Sequence, residues 1–555
     1  MTDARDLFTE DERRTLAPFF TDLDRHVFGL RLPQEVAGAL FSRYSRTAKS
    51  LRRVFLDEFL GEGAVAGGAP PVDPEDALQK ARAFYDRVLV GYGDDSVAQL
   101  GGAHVACERI SNVGAKLLED ARVGAAFLEK STRYVRFDQK DEAGEWLFFK
   151  EPRILASPHR DAYLGLMDRL FATYARQIDP LLSTIEKSLP IESVEVRHPK
   201  SGEPLSWSEV ERDVELKKGA ERAYRATVRA HACDVMRSYL PAATLTNVGI
   251  FATGQAYEHL LNKLASQELS EGAELAASIR RSVDALIPSF VKRSGRKEYL
   301  VESARLLRSR GDFGAPRAPL ASKVPSGARL LDHDPDAETR LLAALLYPHA
   351  TEPLEALRAR AASLSPAERA AAFTELASAR ANRRDKPPRA LENVSYTFDI
   401  VANLGAYRDL QRHRLLTQER QDFTTAHGYE VPPEIEDAGF ADEFHARMAE
   451  AHELHERIAR DLPKEAQYVV PFAYRTRWYF HLNLREAVHL CELRSMPQGH
   501  PDYRRIVQEM WRKIEEVHPA FAVWGRFVNR DDYRLGRLQS ELKTEWKREA
   551  LSKSG

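Results

Sequence analysis

The 555-residue chain has little cysteine: Cys107, Cys233 and Cys491 lie far apart and form no CxxC pair. Each sits in helix-like apolar sequence, where a free thiol behaves as a small hydrophobe, and this usage points to a reducing, cytoplasmic compartment. Long apolar runs are also missing. No stretch approaches the roughly 18 uninterrupted apolar residues of a spanning helix, and the opening MTDARDLFTEDERR is acidic and polar instead of basic and then apolar. The expectation is a soluble protein that is not exported and has no membrane partner. An excess of one charge is absent too: 81 Lys and Arg stand against 83 Asp and Glu, a net charge of -2. No global field favours nucleic acid, so any anion site must be local. Among motifs, there is no Walker loop, no GxGxxG after a strand, no HExxH, no GxSxG elbow and no clustered Cys/His set. His445, His452 and His455 fall on a charged helix and read as a solvent-facing stripe, so no metal is expected.

What is present is length enough for two large domains and a strong helical periodicity. Apolar residues recur at three and four over Pro74 to Val90, Asp95 to Asp120, Ala162 to Leu189, Ala220 to Leu240, Ala256 to Leu269 and Gly272 to Phe290. Strand signals are fewer: Ser131 to Phe137, Trp146 to Lys150 and Asn393 to Val401. Between about Lys292 and Ser326 the periodicity lapses into basic, Pro- and Gly-containing sequence. This divides the chain into residues 1–300, a linker over 301–325, and residues 326–555. The last part opens as a short apolar strand, a helix start at Asp332 to Asp336 and an amphipathic helix.

The two parts share a pattern. Leu-Pro at Pro241 leads through Thr253 to a helix carrying His259, and Val-Pro at Pro471 leads through Asn483 to a helix carrying His489. The two segments align without a gap, and Thr246 coincides with Thr476.

Three polar clusters carry chemical potential. Arg412-His413-Arg414 follows a helical stretch, and two guanidiniums flanking an imidazole suit a phosphate or an anionic ring. A solvated helix end favourable to the helix dipole would read the same. Arg485 and His489, four apart, share a helix face, with Asn483 at or before the first turn and Arg494 further along. Surface pairing to Glu486 or Glu492 is the alternative, although the apolar lead-in WYFHL starts this helix inside the protein. In Glu129-Lys130-Ser131-Thr132-Arg133, strand alternation sets Glu129, Ser131 and Arg133 on one side, as a sugar-phosphate site or a solvated strand face would.

These residues resemble the flavin-dependent thymidylate synthase family, whose signature is RHRxxSxxxxSxR, followed by an Arg before Leu-Pro and by NxRxxxHxxxxR. RHRLLT, with Thr417 at the Ser position, matches the first part, and Asn483, Arg485, His489 and Arg494 match the last. The departures are complementary. In the second repeat the SxR end is Asp422-Phe423-Thr424, the Arg before the Pro motif is Gln467, and Asp409 stands where the family has Gln. In the first repeat the RHR position is Ala121-Arg122-Val123, yet Glu129, Ser131, Arg133 and Arg237 remain, and GYGDDSVAQL around Ser96 resembles the family's Gly-His-Glu-Ser/Thr segment.

The resemblance implies an α+β fold of two tandem modules, each a small, mainly antiparallel sheet with long packed helices. It implies reductive methylation of dUMP to dTMP with FAD as cofactor and NADPH and 5,10-methylenetetrahydrofolate as co-substrates. Arg412, His413, Arg414, Asn483, Arg485, His489 and Ser96 would bind FAD. Glu129, Ser131, Arg133, Arg237, Arg412 and Arg494 would bind dUMP, with Arg494 catalytic through charge developing on the uracil ring. In the family the site is shared between subunits of a tetramer, so one composite site between repeats and a homodimer of four repeats are expected. A non-catalytic nucleotide- or flavin-binding relative with a regulatory role is the alternative.

Overall fold

The structure, a computed structural model, describes residues 8–60, 97–198, 201–310 and 324–554. The expected helix over Pro74 to Val90 and the segment around Ser96 lie outside these residues. The chain divides into two compact units that do not follow the order of the sequence.

The first unit comprises Met1–Ile110, Gly114–Glu129 and Thr246–Pro316. Its sheet has three strands, β1 (Gly102–Ser111), β2 (Ala125–Glu129) and β3 (Leu245–Thr253), with β3 in the middle. β2 runs antiparallel to β3, with Ala125 opposite Ala252 and Glu129 opposite Val248. The helix expected over Asp95 to Asp120 is therefore interrupted: among the described residues Gly102–Ser111 is strand, and helix is confined to a 3₁₀ turn at Val97–Gln99 and to Asn112–Glu119. The cause is a period of two that overrides the apolar spacing at three and four. Ala103, Val105 and Cys107 are buried while His104, Ala106 and Glu108 face out. Arg109, at φ 55, breaks the alternation before Ile110 turns back into the core. Thr253 ends β3 and caps the helix Gly254–Ala265 by accepting from the Ala256 N–H at 3.3 Å. Val105, Val248, Ile250, Tyr257, Leu260 and Ile279 belong to the core of this unit. The stretch read as the start of a linker contains a helix, Glu298–Ser309, with no buried residue.

The second unit comprises Ser111–Val113, Lys130–Leu245 and Arg317–Gly555. Four antiparallel strands, β4 (Gly327–His333), β5 (Ser395–Asn403), β6 (Leu416–Arg420) and β7 (Arg475–Asn483), pair in the order β4-β5-β7-β6. Phe398 lies opposite Phe480, and both are fully buried. The predicted strand over Asn393 to Val401 thus appears two residues later, and the predicted strand and helix after Ala328 form as β4 and Ala337–Leu346. Two asparagines do the same work: Asn403 ends β5 and caps Leu404–Leu410, and Asn483 ends β7 and caps Leu484–Arg494. The latter helix buries Leu484, Val488, Leu490 and Cys491, each worth about 1.5–3 kcal/mol relative to exposure. The long helix Arg160–Ser188 packs against Val214–Met236 and Ala441–Asp461. On the last of these, His455 is buried and, with His452, contacts the Thr425 hydroxyl, so the expected histidine stripe is not wholly solvent-facing.

Ser131 to Phe137 is not a strand but a turn, because strand pairing is already complete at Glu129. Trp146 to Lys150 makes only an isolated bridge, Phe148 to Thr244.

The repeat correspondence appears in the backbone itself. Within the second unit Pro241 and Pro471 face each other in an antiparallel bridge. The Ala242 N–H donates to the Val470 carbonyl at 2.8 Å, and the Phe472 N–H donates to the Leu240 carbonyl at 2.9 Å. The Ala243 N–H to Tyr468 carbonyl and Ala473 N–H to Ser238 carbonyl bonds, at 3.0 and 3.1 Å, form a second reciprocal pair. Exchanging each residue for its counterpart in the other repeat leaves this set unchanged, so the two Pro motifs meet about a local twofold. Proline lacks an N–H, and the flanking residues therefore carry the pairing. Among the described residues, no helix is long and apolar enough to cross a membrane.

Candidate functional site

Two cavities in the second unit border the predicted residues. The larger, about 1150 Å³, is lined by Asn483, Arg485 and His489 together with Thr417 and the basic side chains of Arg383 and Lys386. The strand-to-helix junction at Asn483 places them. With Asn483 committed to the cap, accepting from the Glu486 N–H at 2.9 Å, Arg485 and His489 project from the first two turns. Arg485 donates to the Pro387 carbonyl at 2.9 Å and to Glu392 at 3.0 Å, which fixes its guanidinium at the rim. His489 Nδ1 lies 3.0 Å from Lys386 Nζ, and burial holds this imidazole down to about 4. The surface pairing considered for this helix does not form: Glu492 is buried in an ion pair with Arg380 at 2.8 Å, and Glu486 is buried against His413.

The Arg412-His413-Arg414 triplet does not act as one array of donors. It leaves the end of Leu404–Leu410 with Arg412 and Arg414 at the surface and His413 turned inward. Neither arginine borders the two cavities. His413 Nδ1 is 2.7 Å from Glu486 Oε1, its Nε2 is 3.0 Å from Arg494 Nε, and its ring centroid is 5.7 Å from that of His489.

Beyond Arg494 lies a buried cluster drawn from both repeats. Arg133 grips Asp234 bidentately, with Nε and Nη2 each 2.7 Å from a carboxylate oxygen, and donates to the Tyr503 hydroxyl at 3.4 Å. Asp234 and Arg237 stand three apart at the end of Val214–Met236, which turns both into the same space. Arg237 Nη1 lies 3.9 Å from Asp409, Asp409 lies 4.0 Å from Arg412 Nη2, and the Arg494 guanidinium carbon sits 5.9 Å from the Tyr503 ring centre. Burial alone would raise both carboxyls. The guanidinium of Arg133 for Asp234, and that of Arg412 for Asp409, outweighs burial and holds each well below the ordinary range. Burial pulls Arg237 downward, against the pull of Asp234 and Asp409. Arg237 is 4% exposed, and its Nη2 has no hydrogen-bond partner. Gly405 makes this position possible, since a Cβ there would stand 3.0 Å from Arg237 Nη2.

The second cavity, about 640 Å³, is bordered by Arg237, Gly405, Asp234, His500, Phe472 and Arg475. Glu486, which lines the first cavity, contacts His413 and through it Arg494, while Arg237, which lines the second, faces Asp409.

The remaining predicted residues fall outside this arrangement. Ser131 is half-buried, and its hydroxyl accepts from the Arg133 N–H at 3.3 Å, a contact within the turn. Glu129 belongs to the first unit, where it is buried 3.2 Å from Lys116 Nζ. Ser96 lies outside the described residues. Sequence reasoning did not single out Asp234, Glu486, His500 or Tyr503 as members of a site. The spacing of Asp234 from Arg237 and the helix start His500-Pro501-Asp502 were the available signals.

The sequence model of the family described as thymidylate synthase complementing protein matches residues 62–289 and 329–520, most of both repeats. The chain belongs to the thymidylate synthase complementing protein family. The chain is 39% identical over 545 residues to a UPF0159 protein of Chlamydia muridarum, covering 96% of this chain and 98% of that one. It is 27% identical over 201 residues to a flavin-dependent thymidylate synthase of Geobacter sulfurreducens, covering 34% of this chain and 83% of that one. A solved structure, a UMP/dUMP methylase PolB from Streptomyces cacaoi bound with 5-Br dUMP, aligns with 37% of this chain and 99% of its own at 17% identity. The TM-score of that alignment is 0.29.

Proposed function

We propose that this member of the thymidylate synthase complementing protein family is a flavin-dependent thymidylate synthase that converts dUMP to dTMP in the cytoplasm, with methylenetetrahydrofolate as carbon donor and NADPH as reductant. The observation that carries the reading is the larger cavity. Its volume of about 1150 Å³ exceeds the about 300–1,000 Å³ of most small-molecule sites, as a dinucleotide requires, and basic side chains beside Asn483, Arg485 and His489 suit its pyrophosphate. FAD fits this cavity, and when bound it supplies the hydride chemistry, so no protein nucleophile is needed.

The chain's own residues then bind, orient and polarise. Arg485, fixed by Glu392 and Pro387, and Lys386 offer donors to the phosphates. In the second cavity Arg237 is placed for the nucleotide anion, and Arg133, by pairing with Asp234, leaves that carboxylate less able to compete for Arg237. Arg494 completes the assignment to dUMP, and Ser131, Arg412, Glu129, Arg414 and Ser96 are assigned by resemblance alone. Arg494 stabilises negative charge developing on the pyrimidine, a role suited to a guanidinium held in place before the reaction. Arg133 and Arg237 come from the first repeat and Arg494 from the second, so the site is composite. A homodimer would supply four repeats, as the family tetramer does.

The purified chain should carry a flavin spectrum that NADPH bleaches, and with the folate donor it should release tritium from [5-³H]dUMP and form dTMP. Colourless protein that takes up no FAD and releases no tritium would sink the reading. A second reading, a non-catalytic nucleotide-binding relative, is favoured by one observation: Asp234 and Asp409 already neutralise two of the guanidiniums. Calorimetry showing dUMP binding without turnover selects it.

A further inference from the structure

We propose that Glu486 is a positioning residue: through a single tautomer of His413 it fixes the direction in which Arg494 presents its guanidinium. The derivation needs only donor and acceptor chemistry. Arg494 Nε–H can only donate, and it lies 3.0 Å from His413 Nε2, so Nε2 must be the acceptor. A neutral imidazole with a lone pair on Nε2 carries its proton on Nδ1. That proton points at Glu486 Oε1, 2.7 Å away. The relay therefore runs Glu486 Oε1, His413 Nδ1–H, His413 Nε2, Arg494 Nε–H, and moving the proton to Nε2 sets donor against donor at Arg494. His413 and Glu486 are buried, so a lost partner at this bond is costly. Burial, reinforced by the charge of Arg494, also pushes His413 well below its usual pKa, consistent with a neutral ring.

The same reasoning decides against a metal at this point. His413, Glu486 and His489 each place a ligand atom within 4.8 Å of the others, a spacing that a transition-metal ion could use. A metal on Nδ1 would force the proton to Nε2, facing the Arg494 N–H. On the other flank, Lys386 Nζ stands 3.0 Å from His489 Nδ1, a cation where a metal would add charge. The cluster is thus a hydrogen-bond relay in which Glu486 acts on Arg494 without touching it.

The catalytic consequence rests on the thymidylate synthase reading, whereas the tautomer does not, and the experiment separates them. In protein carrying ¹⁵N-labelled histidine, with the signal assigned by its loss in His413→Gln, the expected pattern is Nδ1 protonated and Nε2 bare. An Nε2–H tautomer, an imidazolium, or stoichiometric bound zinc in the purified chain overturns the proposal. In turnover assays Glu486→Gln keeps an acceptor oxygen for Nδ1–H and should retain most of kcat. Glu486→Leu should lower kcat about 10–100-fold through misplacement of Arg494 while KM for dUMP changes little. Equal losses in both variants, or none in Glu486→Leu, overturn it. If Glu486→Leu does not fold, Glu486→Asp, which keeps the charge but withdraws the acceptor, should fall below Glu486→Gln, and the reverse order refutes the relay. If the wild type forms no dTMP, the functional reading fails, and the histidine spectrum still decides the tautomer.

Discussion

The Arg133–Asp234 pair gives the clearest handle on how the second unit holds together. Asp234 is buried and Arg133 nearly so, at 6% and 12% side-chain exposure, and two parallel 2.7 Å contacts join them. Removing one partner leaves a buried charge uncompensated, which costs about 3–5 kcal/mol in such settings. Asp234→Ala leaves the Arg133 guanidinium with the Tyr503 hydroxyl at 3.4 Å, so the upper half of that range is expected. Asp234→Asn keeps one acceptor oxygen and should cost roughly half as much. Replacing both partners by apolar groups, as in Arg133→Met with Asp234→Leu, removes the stranded charge and should recover most of the loss. The chain has two units and need not unfold in one step, so the assay is native-state hydrogen exchange read by mass spectrometry over Val214–Met236. A change below about 1 kcal/mol in Asp234→Ala, or a double variant as unstable as the summed singles, would show that the two residues are not energetically a pair.

Gly405→Ala should separate stability from binding. Its Cβ would meet the Arg237 guanidinium at 3.0–3.1 Å, while alanine in a helix is favoured over glycine by about 0.5–1 kcal/mol. Thermal stability should therefore hold while the calorimetric affinity for dUMP falls about tenfold, roughly 1.4 kcal/mol, and unchanged affinity refutes the placement of Arg237. His500→Asn should flatten the acid limb of stability. Burial, and then the charge of Arg237, holds His500 at about 4 against 6.5 when free, with Asp502, Asp234 and Arg133 also facing it. A lowered histidine means that the unfolded chain binds the extra proton, so stability is intact above pH 6.5 and is lost as pH falls toward 4. Asparagine keeps the helix cap that His500 supplies to the Asp502 N–H, and equal pH profiles for variant and wild type would contradict the assignment.

The elements most readable from sequence were those in which local and tertiary signals agree. Asn483 before an apolar helix predicts a cap, and the cap forms. The matching Pro241 and Pro471 segments predict a repeat, and they meet about a local twofold. Strand β1 was misread because GAHVACERIS satisfies both a period of two and a helical spacing, and only the neighbouring strand β3 decides between them. Arg133 was singled out, but on a strand that does not form. Its partner Asp234 lies 101 residues away in sequence, and no local pattern announces a pair closed by tertiary packing. The inward turn of His413 between two exposed arginines is likewise set by Glu486 and Arg494, both on a distant helix.

The central claim is that one dUMP-methylating site is assembled from both repeats, and tritium release from [5-³H]dUMP tests it with one residue removed from each. With FAD, NADPH and methylenetetrahydrofolate supplied, Arg237→Gln in the first repeat and Arg494→Gln in the second should each slow release about 10²–10³-fold, the usual cost of removing a preorganised charge-stabilising donor. Full turnover in Arg237→Gln beside a dead Arg494→Gln would contradict the account, placing the site in the second repeat alone.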